Sequence, residues 1–188
     1  MHWNLTSAVS PAATSTFSSS KDSVKPFCSR CTLSVWDSTT AVTGSFTVTV
    51  KNTGSVAGKD VVEVYFKPPY TNGGIEKASV NLIAFAKTTE LAPGESQTLT
   101  LSFREEDMAS YDSRVHGCYV LDAGSYTVSL RSDSHTVLAE EELVVPEKVV
   151  FGADNPRSTD RVAAVNRFDA AGTVEYLSRA DGFANLER

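Results

Sequence analysis

Val48-Thr49-Val50-Lys51-Asn52-Thr53-Gly54-Ser55-Val56-Ala57-Gly58-Lys59-Asp60-Val61-Val62-Glu63-Val64-Tyr65-Phe66 reads as a strand, a glycine-bounded turn and a second strand. Before the turn, Phe46, Val48 and Val50 alternate with Thr47, Thr49 and Lys51; after it, Val62, Val64 and Phe66 alternate with Glu63 and Tyr65. A period of two places one face in a core and the other in water. Asn52 and Gly54 tolerate positive backbone φ, and Gly58 offers a second such point, so backbone freedom is expected to make the turn. The pattern is that of a sandwich-type strand pair, and no catalytic group is built into it.

Working outward, the segment 1–31 is rich in Ser, Thr and Ala, carries Pro11 and Pro26, and holds no sustained period. It reads as a disordered tail or severed linker that buries too little apolar surface to offset its ordering. The first strand is expected at Thr32-Leu33-Ser34-Val35-Trp36. After Phe66 the pair Pro68-Pro69 ends the second strand, because proline lacks the ladder donor. Residues 76–88 carry Val80, Leu82, Ile83, Ala84 and Phe85 and favour a strand with a bulge. Leu91-Ala92-Pro93-Gly94-Glu95 is a turn with proline setting φ and glycine free to take a positive value. Leu99, Leu101 and Phe103 then alternate inward.

Arg104 to Tyr111 is too polar for a core strand and suits one helical turn at a corner. Its acids Glu105, Glu106 and Asp107 read as a solvated first turn favoured by the helix dipole rather than as a catalytic cluster. Cys118-Tyr119-Val120-Leu121, the turn Asp122-Ala123-Gly124, and Tyr126 to Leu130 give the best hairpin signal in the chain. Residues 137–145 add a further strand. These segments together predict a fold of class all-β, an immunoglobulin-like sandwich of about seven strands over 32–145 with irregular tails. From Pro146 the character changes, with small and charged residues alternating over 158–188, and the segment 146–188 reads as a linker.

Composition narrows the function. The chain has 188 residues, a formal charge of −6 and a pI near 5.1, which leaves no electrostatic footprint for nucleic acid or an anionic membrane. No apolar run is long enough to span a bilayer. Met1-His2-Trp3-Asn4-Leu5-Thr6 has neither a basic start nor an apolar run, so a cytoplasmic location is expected. Three cysteines in such a chain argue for a reducing compartment. A zinc site from Cys28, Cys31, His116 and Cys118 is the sharp alternative to free thiols. A His-x-Cys pair is a poor second half for a zinc knuckle, however, so no metal or cofactor is assigned.

The ordered motifs resemble a known family. Asn52-Thr53-Gly54, Gly58, Val61 to Tyr65, and Leu91-Ala92-Pro93-Gly94-Glu95 are similar to the fibronectin type III-like module of family 3 glycoside hydrolases. In that module a K-x-L-x-x-F-x-K-like strand lies between the two turns. Leu82, Phe85 and Lys87 match it, with Val80 in place of the first lysine. Asp107 to Asp112 resembles the family's corner, and Asp122-Ala123-Gly124-Ser125-Tyr126 its G-x-Y hairpin. The resemblance covers roughly residues 43–135. Ile75 to Ser79, Ser132 to His135, and the tail segments 158–168 and 177–181 resemble a bacterial β-glucosidase-like subgroup of permuted domain order. There the tail leads into an α/β barrel.

The resemblance implies an isolated or truncated accessory module of a retaining β-glucosidase, its partners being the parent's catalytic domains. The family's two carboxyls do the chemistry, and its nucleophile sits in a Ser-Asp-Trp motif in the barrel. Here Ser132-Asp133 is followed by Ser134, and Trp36-Asp37 has the reverse order. No catalytic residue is therefore assigned. The alternatives are a carbohydrate-binding module, with Tyr65, Tyr70 and Tyr111 as stacking platforms, or a general partner-binding sandwich.

Overall fold

The computed structural model describes residues 15–17, 28–34, 43–162, 172, 176–184 and 186. Among them the regular elements are eleven strands and one 3-10 turn, and no α-helix. The strands are β1 (Ser15–Phe17), β2 (Cys28–Ser34), β3 (Thr43–Lys51), β4 (Val61–Lys67), β5 (Asn81–Lys87), β6 (Ser96–Arg104), β7 (Ser110–Asp112), β8 (Cys118–Leu121), β9 (Gly124–Arg131), β10 (Val137–Val145) and β11 (Val149–Phe151). They form sheets of order β1-β2-β3-β6, β10-β9-β4-β5 and β11-β8-β7. The fold is the expected all-β sandwich class.

The described residues fall into two compact units, those within 1–60 and 87–102 and those within 61–86 and 103–188. In the first, β2 pairs antiparallel with β3, Cys31 opposite Val48 and Cys28 opposite Val50. Val48 and Val50 are buried, as their alternation requires, with Leu91 and Leu101. In the second, β9 is central and antiparallel to both β10 and β4. Val62, Val64 and Phe66 are buried along β4, and Tyr126, Val128 and Leu130 along β9. Each such side chain removed from water contributes roughly 1.5–3 kcal/mol.

Several expectations are corrected. The strands flanking the Asn52–Gly54 turn both form, yet they do not pair; β3 and β4 enter different sheets. The hairpin expected at Asp122–Gly124 is also absent, since β8 pairs with β7 and β11 while β9 pairs with β10 and β4. A short turn between two apolar runs marks a change of direction, and side-chain anchors decide whether the runs then share a ladder. Asp122 supplies such anchors, described below. The first long strand starts at Cys28, ahead of the expected Thr32, and Ser15–Phe17 pairs with it inside the segment read as a tail. Val35 and Trp36 lie outside the described residues. Past Val145 the chain adds β11, which pairs with β8.

Candidate functional site

In the first unit the N-T-G and L-A-P-G-E turns are joined by one buried side chain. Asn52, 1% exposed, donates from Nδ2 to the carbonyls of Val56 (2.9 Å) and Leu91 (2.8 Å). Its Oδ1 accepts the Gly54 N–H at 2.9 Å. Its backbone N–H donates to Glu95 (2.8 Å) and its carbonyl accepts from Gly94 (2.7 Å). Neither Asn52, Gly54 nor Gly58 takes a positive φ; of the turn residues Gly94 does, at 84°. The expected backbone freedom is therefore replaced by an amide that satisfies three backbone groups at once. Gly58 and Leu91 bridge below it.

In the second unit the corner into β9 is held by Tyr126 and Asp122. The Tyr126 ring is 1% exposed and lies 6.4 Å from Phe66. Its hydroxyl donates to the Asp122 carbonyl at 3.0 Å, the arrangement of a tyrosine corner. Gly124 has φ 136°, which residues with a side chain rarely adopt, and a Cβ there would sit tightly against Pro69 at 3.3 Å.

The Asp122 carboxylate takes Lys77 at 2.6 Å and Lys148 at 3.1 Å. Lys77 is 6% exposed and also donates to the Pro69 carbonyl at 2.9 Å. Burial pushes the Asp122 carboxyl up, but hydrogen bonds and charge from Lys77 and Lys148 outweigh it and hold the group below the usual range. A carboxyl with a depressed folded-state pKa adds stability above its unfolded value, about 4, and that stability is lost as pH falls through the folded value. The Tm should therefore drop as pH is lowered below about 4. Asp122→Ala, which strands Lys77, should cost about 3 kcal/mol at neutral pH and flatten that acid limb. Thermal melts from pH 7 downward check both.

Asp112 anchors the loop between β7 and β8. It is 4% exposed and accepts the N–H groups of Arg114, Val115 and His116 and the His116 Nδ1 at 2.6 Å. Burial opposes ionisation, yet the His116 ring and these backbone donors hold the carboxyl low. His116 is thus engaged by Asp112, and Cys118 is a half-buried free thiol. The side chains of Cys28 and Cys31 lie outside the described residues.

The expected helical turn is a 3-10 turn, Glu105–Met108. Two of its three acids, Glu106 and Asp107, are partnered rather than simply solvated. Arg104 bridges Glu106 at 2.9 Å and Asp107 at 3.1 Å, and Glu106 also accepts the Ser158 N–H at 2.7 Å and its hydroxyl. Burial pushes the Glu105 carboxyl up.

The three tyrosines are half-buried, each with a partner in the chain. Arg131 lies 5.5 Å from the Tyr65 ring and Arg179 4.1 Å from that of Tyr70. Tyr111 meets Tyr119 edge-on at 5.5 Å, and its hydroxyl donates to the Gly117 carbonyl. Two large apolar side chains instead stand open on β5, an edge of its sheet: Phe85, 68% exposed, and Leu82, 48%. Ile83 and Ala84 between them are half-buried, so the strand departs from simple alternation.

Residues 60–134 match the fibronectin type III-like domain family. A β-glucosidase of Ruminococcus albus is 48% identical over 91 residues, covering 46% of this chain and 9% of that protein. Probable β-glucosidase K of Emericella nidulans is 34% identical over 109 residues, covering 58% and 13%. Among solved structures, β-glucosidase 3B of Thermotoga neapolitana, in complex with α-D-glucose, superposes with a TM-score of 0.54 at 34% identity, covering 63% of this chain and 16% of that one. A β-glucosidase of Paenibacillus barengoltzii gives 0.54 at 28% identity, covering 76% and 15%. The chain thus spans between about a tenth and a sixth of the length of these relatives.

Proposed function

We propose that this chain is a non-catalytic accessory module that packs against the catalytic domains of a family 3 β-glucosidase, a reading supported by the match of residues 60–134 to the fibronectin type III-like domain family and by the similarity to segments of β-glucosidases. One observation carries the reading. Phe85 and Leu82 stand open on edge strand β5, inside the stretch that matches the module family. Open apolar side chains on an edge strand are unfavourable in an isolated module and are accounted for when a neighbour covers them. The tyrosines offer less to a sugar, because Arg131, Arg179 and Tyr119 already sit against them.

The module's role in such an enzyme is mechanical. Buried apolar area and a few central anchors hold one domain against another, with the rim contributing little. The test is a swap. The counterpart of residues 60–134 in the Ruminococcus albus β-glucosidase is replaced by this chain's sequence. The chimera should fold and keep its activity. Phe85→Asp in the swapped segment should lower its Tm by several degrees, at roughly 2–4 °C per kcal/mol. A chimera indifferent to Phe85→Asp contradicts the proposed docking.

A further inference from the structure

The segment 146–188, expected to be a linker, includes a stretch with its own hold on the module. Arg179 lies over the Tyr70 ring at 4.1 Å and donates from Nη1 to the Lys77 carbonyl at 3.1 Å. Its backbone N–H and the Ser178 hydroxyl both donate to the Glu76 carboxylate at 2.9 Å. The Tyr70 hydroxyl donates to the same carboxylate at 3.4 Å. The stretch also folds on itself. Phe183 donates its N–H to the Ser178 carbonyl at 2.9 Å and to Asp181 Oδ1 at 3.0 Å. Those bonds hold Phe183 at φ 61° and follow Gly182 at 67°, a pair of left-handed residues that a free chain would rarely populate.

We propose that residues 176–184 form a strap clasped by the Tyr70–Lys77 loop, so that this stretch is held at a fixed place on the loop. The clasp is polar: Tyr176, Leu177 and Phe183 remain exposed, so burial of their side chains does not hold the strap down. Arg179 supplies both a cation–aromatic contact and a directed hydrogen bond, a combination lysine does not reproduce. The receiving loop is itself anchored. Lys77, whose carbonyl receives Arg179, sends its ammonium to Asp122, and the Asp122 carbonyl receives Tyr126. The loop that receives the strap is thereby tied to the corner that starts β9. This inference concerns the chain's own segment and stands whether or not the module serves a glycosidase.

Hydrogen exchange on the full 188-residue chain tests it. The amides of Arg179, Ala180, Gly182 and Phe183 each have an acceptor, and they should exchange more slowly than in an unstructured peptide. Glu76→Ala and Arg179→Ala should each accelerate these amides by about fivefold or more, leaving β9 protection unchanged. Strap amides that exchange at free-peptide rates in the unaltered chain overturn the proposal. So do variants that leave their rates where they were. Should a variant also lose β9 protection, Ser178→Ala, which removes one hydroxyl, carries the same comparison with the same two outcomes.

Discussion

Tyr126→Ala is expected to lower stability by about 4 kcal/mol, and Tyr126→Phe by only about 1 kcal/mol. The ring is buried beside Phe66, so its truncation removes a large apolar side chain and leaves a cavity in unit two. Phenylalanine preserves that packing and gives up only the hydroxyl bond to the Asp122 carbonyl. The ratio of the two losses separates core burial from corner geometry. Burial also pushes the Tyr126 phenol far above its ordinary pKa, so it should stay protonated while the protein is folded. Urea denaturation of the three proteins measures the difference. Equal losses would mean that the corner bond, not the ring, carries the contribution.

The second large effect belongs to Asn52. Asn52→Leu should cost about 3 kcal/mol, since two carbonyls and one N–H lose their partner away from water. Asn52→Asp retains the acceptor for Gly54 but sets a carboxylate against the carbonyls of Val56 and Leu91. Its pKa should therefore be raised, and the variant should gain stability as pH falls. That is opposite in sign to Asp122, whose lowered pKa makes acid destabilising. Urea midpoints at two pH values distinguish the pair.

Much of this architecture was legible in advance because alternation reports burial directly. Val48, Val50, Val62, Val64 and Phe66 are buried as their period requires, as are Leu101 and Phe103, while Leu99 is only half-buried. Pro93-Gly94 makes its turn with glycine at positive φ as its chemistry requires. Strand partnership was not legible. The apolar runs on either side of Asp122 look like a hairpin, but whether they pair depends on where Lys77, Lys148 and Tyr126 pull the corner, and these lie up to 45 residues away. The role of Asn52 was missed for a related reason. An asparagine beside a glycine signals a turn by backbone preference, and its reach to Leu91, 39 residues on, leaves no local trace. Lys77 sits in a polar run and gave no sign that it would be buried. The same holds for the strap, whose partners in the Tyr70–Lys77 loop lie about a hundred residues upstream.

The claim that this module is non-catalytic meets its most direct test in one assay. The purified 188-residue chain, incubated with an aryl β-glucoside, should release phenol no faster than buffer alone. Turnover that co-purifies with the chain and disappears when one of its own carboxylates is substituted would contradict the account.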